Sequence, residues 1–364
     1  MKRVLVARLD SIGDVLLAGP AIRAVAGLPP WPSHGPERPE REVTLLCGPQ
    51  GAPAGRRLPG VSQVLVWSCP WISDPGPAVD DAAVARLGEL VAQSGADEAV
   101  ILTSFHQSPL PLALLLRLHG VRRITGASVD FAGSLLDVRL RPGEDFPEDQ
   151  PEPVRALTIA RAAGYELTQG DRGGLAVRPG PDMSHLAGPA PYVVVHPGAA
   201  VPSRAWPVDN AARSVVQLAA AGLRVLVTGG PGERELTATV AGDRGVDLGG
   251  RTDLAELSDV LARAQVTVTG NTGPAHLSAA VGTPVVSLFS PVVPAVRWAP
   301  YGVPVELLGD QQAPCKDSRA RTCPVPGHPC LSSVTPREVT EACLRLVASR
   351  RGAGATSNGG KDEP

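Results

Sequence analysis

The sequence is short of aromatic residues and net charge, and it lacks a long apolar run. Aromatic side chains make up 3% of the 364 residues, so the cores must consist mainly of Ala, Val and Leu, which favours helices packed on parallel strands. The formal net charge of −2 gives no long-range field for nucleic acid, and we exclude that partner. No apolar run approaches the roughly 18 residues that predict a transmembrane helix.

Lysine is also scarce, with 3 Lys against 31 Arg, and the chain contains 40 Gly and 38 Pro. This bias indicates GC-rich coding and a bacterial source. Strand-like sequence follows Met1-Lys-Arg3 directly, which leaves no room for a signal peptide. We therefore expect a cytoplasmic protein.

The six cysteines do not fit the disulfide framework of a small secreted domain. Three of them form the pattern C-x7-C-x4-H-x-C with a histidine: Cys315, Cys323, His328 and Cys330. The pattern offers four zinc ligands, but it lacks a C-x2-C pair, and a His and a Cys two residues apart make a poor structural site. A reduced, partly buried cluster or a labile disulfide is the reading we favour.

A turn between a strand and a helix stands out in the C-terminal half. Gly270–Pro274 follows the apolar Val266–Val268, Pro274 suits the first helical position, and His276 lies within the first turn. Free backbone N–H groups and the helix dipole would favour an anion there. The alternative is a purely structural Gly/Pro turn.

The amino terminus has a similar arrangement. Val4–Arg8 reads as a buried strand, and the chain then turns into an apolar helix containing Pro20. Asp14 therefore lies just beyond the carboxyl end of a strand, where open α/β sheets bind their ligands. The alternative for Asp10 and Asp14 is that each caps the helix.

Four motifs recur in a characteristic order along the chain. They are Arg8 with Gly13-Asp14-Val15 and Pro20, His196-Pro-Gly with Arg204-Ala-Trp206-Pro207, Gly229-Gly-Pro-Gly-Glu233, and Asn271-Thr272-Gly273-Pro274-Ala275-His276. Together they resemble glycosyltransferase family 9, the bacterial heptosyltransferase-like enzymes. The resemblance runs from about Lys2 to about Arg345. It implies the GT-B fold, in which two Rossmann-like, doubly wound α/β domains face each other across a cleft.

The alternation of strand-like and helix-like segments independently predicts two α/β domains. We expect one domain at 1–178, a Pro/Gly-rich linker, a second domain at 192–350 with a closing helix from Pro336, and a disordered tail at 352–364. The predicted strands are Val4–Arg8, Val43–Cys47, Val64–Trp67, Ala99–Thr103, Arg122–Thr125, Tyr192–His196, Arg224–Thr228, Val266–Val268 and Val285–Leu288.

The resemblance implies an inverting, metal-independent glycosyltransferase without a cofactor. The first domain would hold the acceptor, a glycan or glycolipid that can lie at the inner face of the membrane. The second domain would hold the donor, a nucleoside-diphosphate sugar whose sugar is heptose or a related one. No DXD-like carboxylate pair presents itself, and family resemblance makes Asp14 the general base. Two alternatives stay open: a nucleotide-sugar epimerase of the same architecture, and a non-catalytic sugar-nucleotide or glycan binding protein.

The resemblance also assigns the donor site. Its residues would be Gly13, Arg204, Glu233, Asn271, Thr272, Gly273, Pro274 and His276. Arg204 and the helix start would hold the diphosphate, and Glu233 the ribose hydroxyls. The bland alternatives are an exposed first-turn Glu233 and a buried structural His276. Contacts to donor or acceptor are also open to three residues of the first loop, for which a structural role is the alternative: Arg8, Asp10 and Ser11.

Two positions depart from the family pattern. The family usually has Lys where Arg204 stands, and Arg keeps the charge with a different reach. It usually has Asp where Asn271 stands, and Asn can donate as well as accept but carries no charge. The change at Asn271 leaves open whether the donor is an ADP-linked heptose. We expect Trp206 and Pro207 to pack and assign them no chemistry.

Overall fold

The computed structural model describes residues 1–31 and 37–356, with side chains to residue 350. The chain divides into two compact units, Met1–Arg178 and Pro179–Pro364. Each unit contains one six-stranded, wholly parallel sheet with helices between its strands. The α/β class and the two Rossmann-like domains predicted from the sequence are therefore confirmed.

The first unit has the strand order β3-β2-β1-β4-β5-β6. Its strands are β1 (Arg3–Ala7), β2 (Glu42–Cys47), β3 (Val61–Val66), β4 (Glu98–Ile101), β5 (Arg123–Ala127) and β6 (Val138–Leu140). Its helices are α1 (Ile12–Leu17), α2 (Gly19–Ala26), α3 (Ala52–Gly55), α4 (Asp81–Ser94), α5 (Leu110–Leu118) and α6 (Glu152–Ala162). Val4 pairs with Val43 on one side and Glu98 on the other, so the order reverses between β1 and β4.

The second unit has the order β12-β11-β10-β7-β8-β9, which reverses between β7 and β10. Its strands are β7 (Val193–His196), β8 (Val225–Val227), β9 (Val246–Asp247), β10 (Val266–Gly270), β11 (Val285–Leu288) and β12 (Val305–Leu308). Its helices are α7 (Ser184–Ala187), α8 (Val208–Ala220), α9 (Arg234–Ala241), α10 (Leu254–Ala262), α11 (Gly273–Ala280), α12 (Ala295–Trp298), α13 (Pro329–Ser332) and α14 (Pro336–Thr356).

Three strands escaped prediction, and all three lie at sheet edges: β6, β9 and β12. Central strands such as β1 and β7 are buried on both faces, so each shows as a run of Val and Leu. The edge strands are only half-buried and include Arg139, Asp247 and Glu306, which interrupt the apolar signal. The apolar sequence pattern therefore identifies the central strands of a parallel sheet better than its edge strands.

Near both ends of the chain, the helices differ in extent from the predictions. The predicted helix containing Pro20 is two helices. α1 ends before Ala18, and Pro20 lies in the first turn of α2. Of the tail predicted at 352–364, residues 352–356 continue α14, and residues 357–364 lie outside the described part of the chain. Within that part, no helix is both long and apolar enough to cross a membrane.

A buried ion pair fastens the end of the first unit to α2. Arg23 is 2% exposed, and its Nε and Nη2 atoms donate to the two carboxylate oxygens of Asp171 at 2.7 and 3.0 Å. Nη2 also donates to the carbonyl of Gly174 at 2.8 Å. The bidentate geometry and the extra acceptor compensate for the loss of hydration of the guanidinium.

We predict that Asp171→Ala destabilises the first unit by about 3–5 kcal/mol, because it leaves the Arg23 charge buried without its partner. Hydrogen exchange of the β1 and α2 amides measures this unit separately. The matched control is Glu89→Ala, which removes an exposed Arg86–Glu89 pair and should change stability by at most about 1 kcal/mol. Equal effects of the two variants would contradict the prediction.

Candidate active site

A buried guanidinium organises the carboxyl end of β1. Arg8 is one residue beyond the strand and only 2% exposed. Its Nε lies 2.9 Å from Asp10 Oδ2, its Nη2 lies 2.8 Å from Asp14 Oδ1, and both terminal nitrogens lie 3.3 Å from Glu152 Oε2. Nη2 also donates to Ser104 Oγ at 2.8 Å. One cation therefore joins β1, α1, the loop after β4 and the start of α6.

Asp14 is the third residue of α1, and its two oxygens have different partners. Oδ1 faces Arg8, while Oδ2 accepts the Ser11 hydroxyl at 2.8 Å. The N-cap residue of α1 is Ser11, and the helix has no side-chain cap. Neither Asp10 nor Asp14 therefore occupies the N-cap position, and Asp14 is an acidic residue of the first turn. Gly13 is buried in the same first turn.

The Asp10 carboxylate is held from the opposite side by the loop after β4. Gln107 Nε2 donates to Asp10 Oδ1, and Gln107 Oε1 accepts the backbone N–H of Ser104 at 3.1 Å. The side chains of Asp10, Asp14 and Glu152 are 11%, 20% and 2% exposed, respectively. Asp14 is thus the most accessible carboxylate of the cluster.

Burial and charge oppose each other within this cluster. Burial raises the pKa of Asp10 and that of Glu152, although Arg8 acts to lower both. Burial alone would lower the pKa of Arg8, but the three carboxylates raise it above its usual range. Arg8 therefore stays charged, and three acids share its charge.

In the second unit, a glycine brings the Arg204 loop against the end of β10. A Cβ atom at Gly270 would lie 3.1 Å from the Arg204 carbonyl oxygen, so a side chain there would require this backbone to shift by a few tenths of an ångström. Trp206 anchors the same loop to the core, because it is 6% exposed and donates from Nε1 to the Val334 carbonyl at 3.2 Å. Trp206 therefore packs, as predicted.

The turn after β10 forms the helix start that the sequence indicates. Thr272 is the N-cap residue, and α11 begins at Gly273, so Pro274 is its second residue. Thr272 Oγ1 lies 3.3 Å from Thr269 Oγ1. Asn271 is 5% exposed and His276 is 3% exposed, which agrees with a positioning role for His276 at least as well as with ligand contact.

Glu233 follows β8 and folds back over the loop after β7. Its Oε2 accepts the Gly230 N–H at 2.7 Å, and its side chain is 30% exposed. A Cβ atom at Gly198 would lie 1.9 Å from Glu233 Oε1, so a side chain there would displace this carboxylate from its position. Glu233 Oε2 also lies 4.0 Å from Nε2 of His196. Glu233 does lie in a first turn, as the structural alternative expects, but it is only partly exposed and its carboxylate caps that turn through the Gly230 N–H.

The cysteine pattern contributes to the second core. Cys315 and Cys330 are buried there, while Cys323 donates to the Val325 carbonyl at 3.4 Å. All six cysteines are free, and burial raises the pKa of Cys330 to about 11. In the part of the chain that the structure describes, no group of three or more His, Cys, Asp or Glu side chains is placed to hold a metal ion.

The two polar clusters lie at the carboxyl ends of strands, beside the points where each sheet reverses its order, which is where doubly wound, Rossmann-like α/β sheets bind their ligands. The model of glycosyltransferase family 9 (heptosyltransferase) matches residues 112–328, which is more than half of the chain. The chain therefore belongs to glycosyltransferase family 9 and is a glycosyltransferase. The matched range includes the second-unit motifs and does not reach Arg8 or Asp14.

Solved structures of similar fold agree with this family. The family 9 glycosyltransferase of Veillonella parvula is 16% identical with a TM-score of 0.73, covering 96% of this chain and 98% of that one. Escherichia coli ADP-heptose LPS heptosyltransferase II is 19% identical with a TM-score of 0.69 (96% and 100% covered). E. coli heptosyltransferase WaaC, solved with ADP-2-deoxy-2-fluoro heptose, is 20% identical with a TM-score of 0.65 (94% and 99%). No curated protein sequence matched this chain.

Sequence reasoning missed two residues of the first cluster, Glu152 and Gln107. Glu152 reads as an ordinary acidic residue at a helix start, and Gln107 lies in a loop with no recognisable pattern. Their roles depend on contacts with residues 144 and 97 positions away. His196 was visible as part of a motif, but not its contacts: Nδ1 lies 3.0 Å from Thr228 Oγ1, and burial lowers its pKa.

We predict a pH-dependent effect of Arg8→Met. The pKa values of Asp10 and Glu152 are raised in the folded state. Their contribution to stability is therefore present below their pKa values in the unfolded state, about 4, and is lost as pH rises through their pKa values in the folded state. Without Arg8 both values rise further, so the loss of stability should become steeper as pH rises from about 4 to 7.

Thermal melting of the wild type and Arg8→Met across this range measures the effect. Glu152→Gln is the matched variant, because it removes one titrating group and should flatten the curve relative to the wild type. Parallel curves for all three proteins would contradict the prediction.

Proposed function

We propose that the protein is an inverting, metal-independent glycosyltransferase that moves a sugar, heptose or related, from a nucleoside diphosphate to a hydroxyl of a glycan or glycolipid. Family membership supports sugar transfer. The observation that carries the mechanism is the arrangement of Asp14, the most accessible of three carboxylates that share Arg8. A glycolipid acceptor would place the reaction at the cytoplasmic face of a membrane.

Asp14 acts as general base in this proposal. It takes the proton of the acceptor hydroxyl while that oxygen bonds to the anomeric carbon from the face opposite the nucleotide. The bond from this carbon to the diphosphate oxygen breaks, and its electron pair leaves with the diphosphate, so the configuration inverts. Arg8 and Ser11 fix the two carboxylate oxygens, which limits the loss of rotational freedom when the acceptor binds.

The second unit holds the donor in this proposal. The leaving diphosphate gains negative charge, which the Arg204 guanidinium and the α11 start at Thr272, Gly273 and Pro274 can stabilise. The approach of the Arg204 loop to Gly270 supports this pairing. WaaC was solved with an ADP-sugar analogue, which supports an ADP-linked donor.

Two further residues complete the proposed donor site. Glu233 would accept bonds from the ribose hydroxyls with the oxygen not used by Gly230. Asn271 would contact the sugar, and its uncharged amide can donate to one hydroxyl and accept from another. His276 supports the turn from within α11.

We predict that Asp14→Asn lowers kcat about 10²–10⁴-fold with little change in donor affinity, because it removes the proton acceptor and keeps the shape. Donors are first selected by thermal stabilisation with ADP-, UDP-, GDP- and TDP-sugars, since a ligand at 100 times its Kd adds about 2.7 kcal/mol. The exposed Asp81→Asn serves as control. Full activity of Asp14→Asn would contradict the assignment.

The same assays separate the alternatives. Conversion of donor without acceptor would indicate an epimerase, and binding without transfer a non-catalytic protein. Activity retained in EDTA and an inverted anomeric centre, read by NMR, test the remaining parts of the proposal.

We predict that Arg204→Ala weakens binding of the selected nucleoside diphosphate about 10- to 150-fold, since a charge-assisted bond is worth roughly 1.5–3 kcal/mol. Arg204→Lys should recover part of the affinity, because it keeps the charge. Calorimetric titration measures both, with the exposed Arg337→Ala as control. Unchanged affinity in Arg204→Ala would remove this residue from the donor site.

A further inference from the structure

A histidine and a threonine lie next to the Glu233 carboxylate in the second unit. His196 ends β7, and Thr228 is the residue after β8, the neighbouring strand. The Thr228 N–H donates to the Val195 carbonyl at 3.0 Å, which continues the pairing of the two strands beyond the end of β8. Both side chains are buried, with exposures of 8% for His196 and 0% for Thr228. Contacts inside the protein must therefore replace their hydrogen bonds with water.

The His196 ring connects Thr228 to Glu233. Its Nδ1 lies 3.0 Å from Thr228 Oγ1, and its Nε2 lies 4.0 Å from Glu233 Oε2. Burial lowers the pKa of His196, although Glu233 acts to raise it. The imidazole is therefore neutral at neutral pH and carries a single N–H, on one nitrogen or the other.

The two contacts of the ring favour one position for this proton. A proton on Nδ1 would turn the lone pair of Nε2 towards the Glu233 carboxylate, which is repulsive. A proton on Nε2 turns the positive end of the N–H dipole towards that carboxylate, and the Thr228 hydroxyl can then donate to Nδ1. A distance of 4.0 Å is too long for a hydrogen bond. The attraction between His196 and Glu233 is therefore electrostatic, and it restricts the carboxylate without neutralising it.

The Glu233 carboxylate is held through only one of its oxygens. Oε2 accepts the Gly230 N–H at 2.7 Å and faces His196. Oε1 lies against the backbone of Gly198, and it accepts no hydrogen bond from the residues that the structure describes. Because the side chain is also partly exposed, Oε1 is the oxygen that is open to a ligand.

We propose that His196, oriented by Thr228, is a positioning residue for Glu233 and thereby makes the donor site select ribonucleotides over 2′-deoxyribonucleotides. The inference rests on the proposed function, which assigns the ribose hydroxyls to Glu233. A ribose can donate from two neighbouring hydroxyls to one carboxylate, whereas a 2′-deoxyribose can donate from one. A carboxylate that rotates freely must be ordered on binding, so loss of His196 weakens the ribonucleotide more than the deoxyribonucleotide.

Calorimetric titration of the whole protein measures this preference. The probes are ADP, GDP, UDP and CDP, each paired with its 2′-deoxy form. For the base that binds most tightly, we expect the wild type to bind the ribonucleotide about tenfold or more tightly than the deoxyribonucleotide, the effect of one charge-assisted hydrogen bond. His196→Leu should lower this ratio by about threefold or more, the effect of a neutral donor. A wild-type ratio near one, or an unchanged ratio in His196→Leu, overturns the inference.

Three further variants separate positioning from folding. His196→Gln keeps an N–H donor near the position of Nε2 and should retain most of the preference. Thr228→Val keeps the branched shape without the hydroxyl, so it should lower the ratio as His196→Leu does. His119→Leu, which removes a half-buried histidine of the first unit, is the control and should leave the ratio unchanged. General damage to the fold lowers the melting temperature and weakens both nucleotides alike. Equal ratios in His196→Gln and His196→Leu would overturn the role of Nε2.

A double-mutant cycle tests whether His196 acts through Glu233. In a Glu233→Gln background, His196→Leu should change the ratio little, because the carboxylate that it positions is absent. The same loss in both backgrounds overturns the inference.

The titrations also keep the inference apart from the proposed function. Nucleotide binding with a ratio that does not depend on His196 overturns the inference alone. A ratio that responds as expected, in a protein that transfers sugar to no acceptor, overturns the proposed function alone. Failure of every diphosphate to bind overturns both, because the second unit would then hold no donor.

Discussion

The Arg8 guanidinium is the interaction on which the first unit's site depends. A buried cation needs compensating charge and a full set of acceptors, and here these come from four separate segments. The need to satisfy Arg8 therefore draws α6 and the loop after β4 to the carboxyl end of β1. Asp14 takes its position from the same requirement, so the geometry of the proposed base follows from the electrostatics of a residue that need not touch substrate.

The second unit reaches a similar result by a different physical route. Its loops are brought together by the absence of side chains at two positions. Gly198 leaves room for the Glu233 carboxylate, and Gly270 leaves room for the Arg204 backbone. These close approaches bring three loops, those after β7, β8 and β10, to one sheet edge without a buried ionic hub. A side chain at Gly198 would displace the Glu233 carboxylate, and one at Gly270 would press on the Arg204 backbone, whereas substitution at Arg8 acts through charge.

The sequence predicts those features that depend on local pattern. Buried central strands such as β7, and the turn at Gly270–Pro274, carry their signal in consecutive residues. Three of the four edge strands do not, because half-burial permits residues such as Glu306 in their midst. In the site, Asp14 is recognisable because it belongs to a motif near a strand end, whereas Glu152 becomes part of it only through the fold. A Glu at a helix start is usually solvated, and nothing in its neighbours indicates that it lies 2% exposed against Arg8.

The charge balance of the two units argues for the division of substrates between them. A nucleoside diphosphate carries negative charge that grows as the sugar leaves, and it requires cationic or N–H surroundings. The first cluster has three acids for one Arg, which suits a neutral acceptor hydroxyl and its base. In the second unit, Arg204 and the α11 N-terminus supply positive potential, while the Glu233 carboxylate is already engaged by the Gly230 N–H. If the donor bound to the first unit instead, its diphosphate would lie against excess carboxylate. Electrostatics alone therefore supports assigning the donor to the second unit.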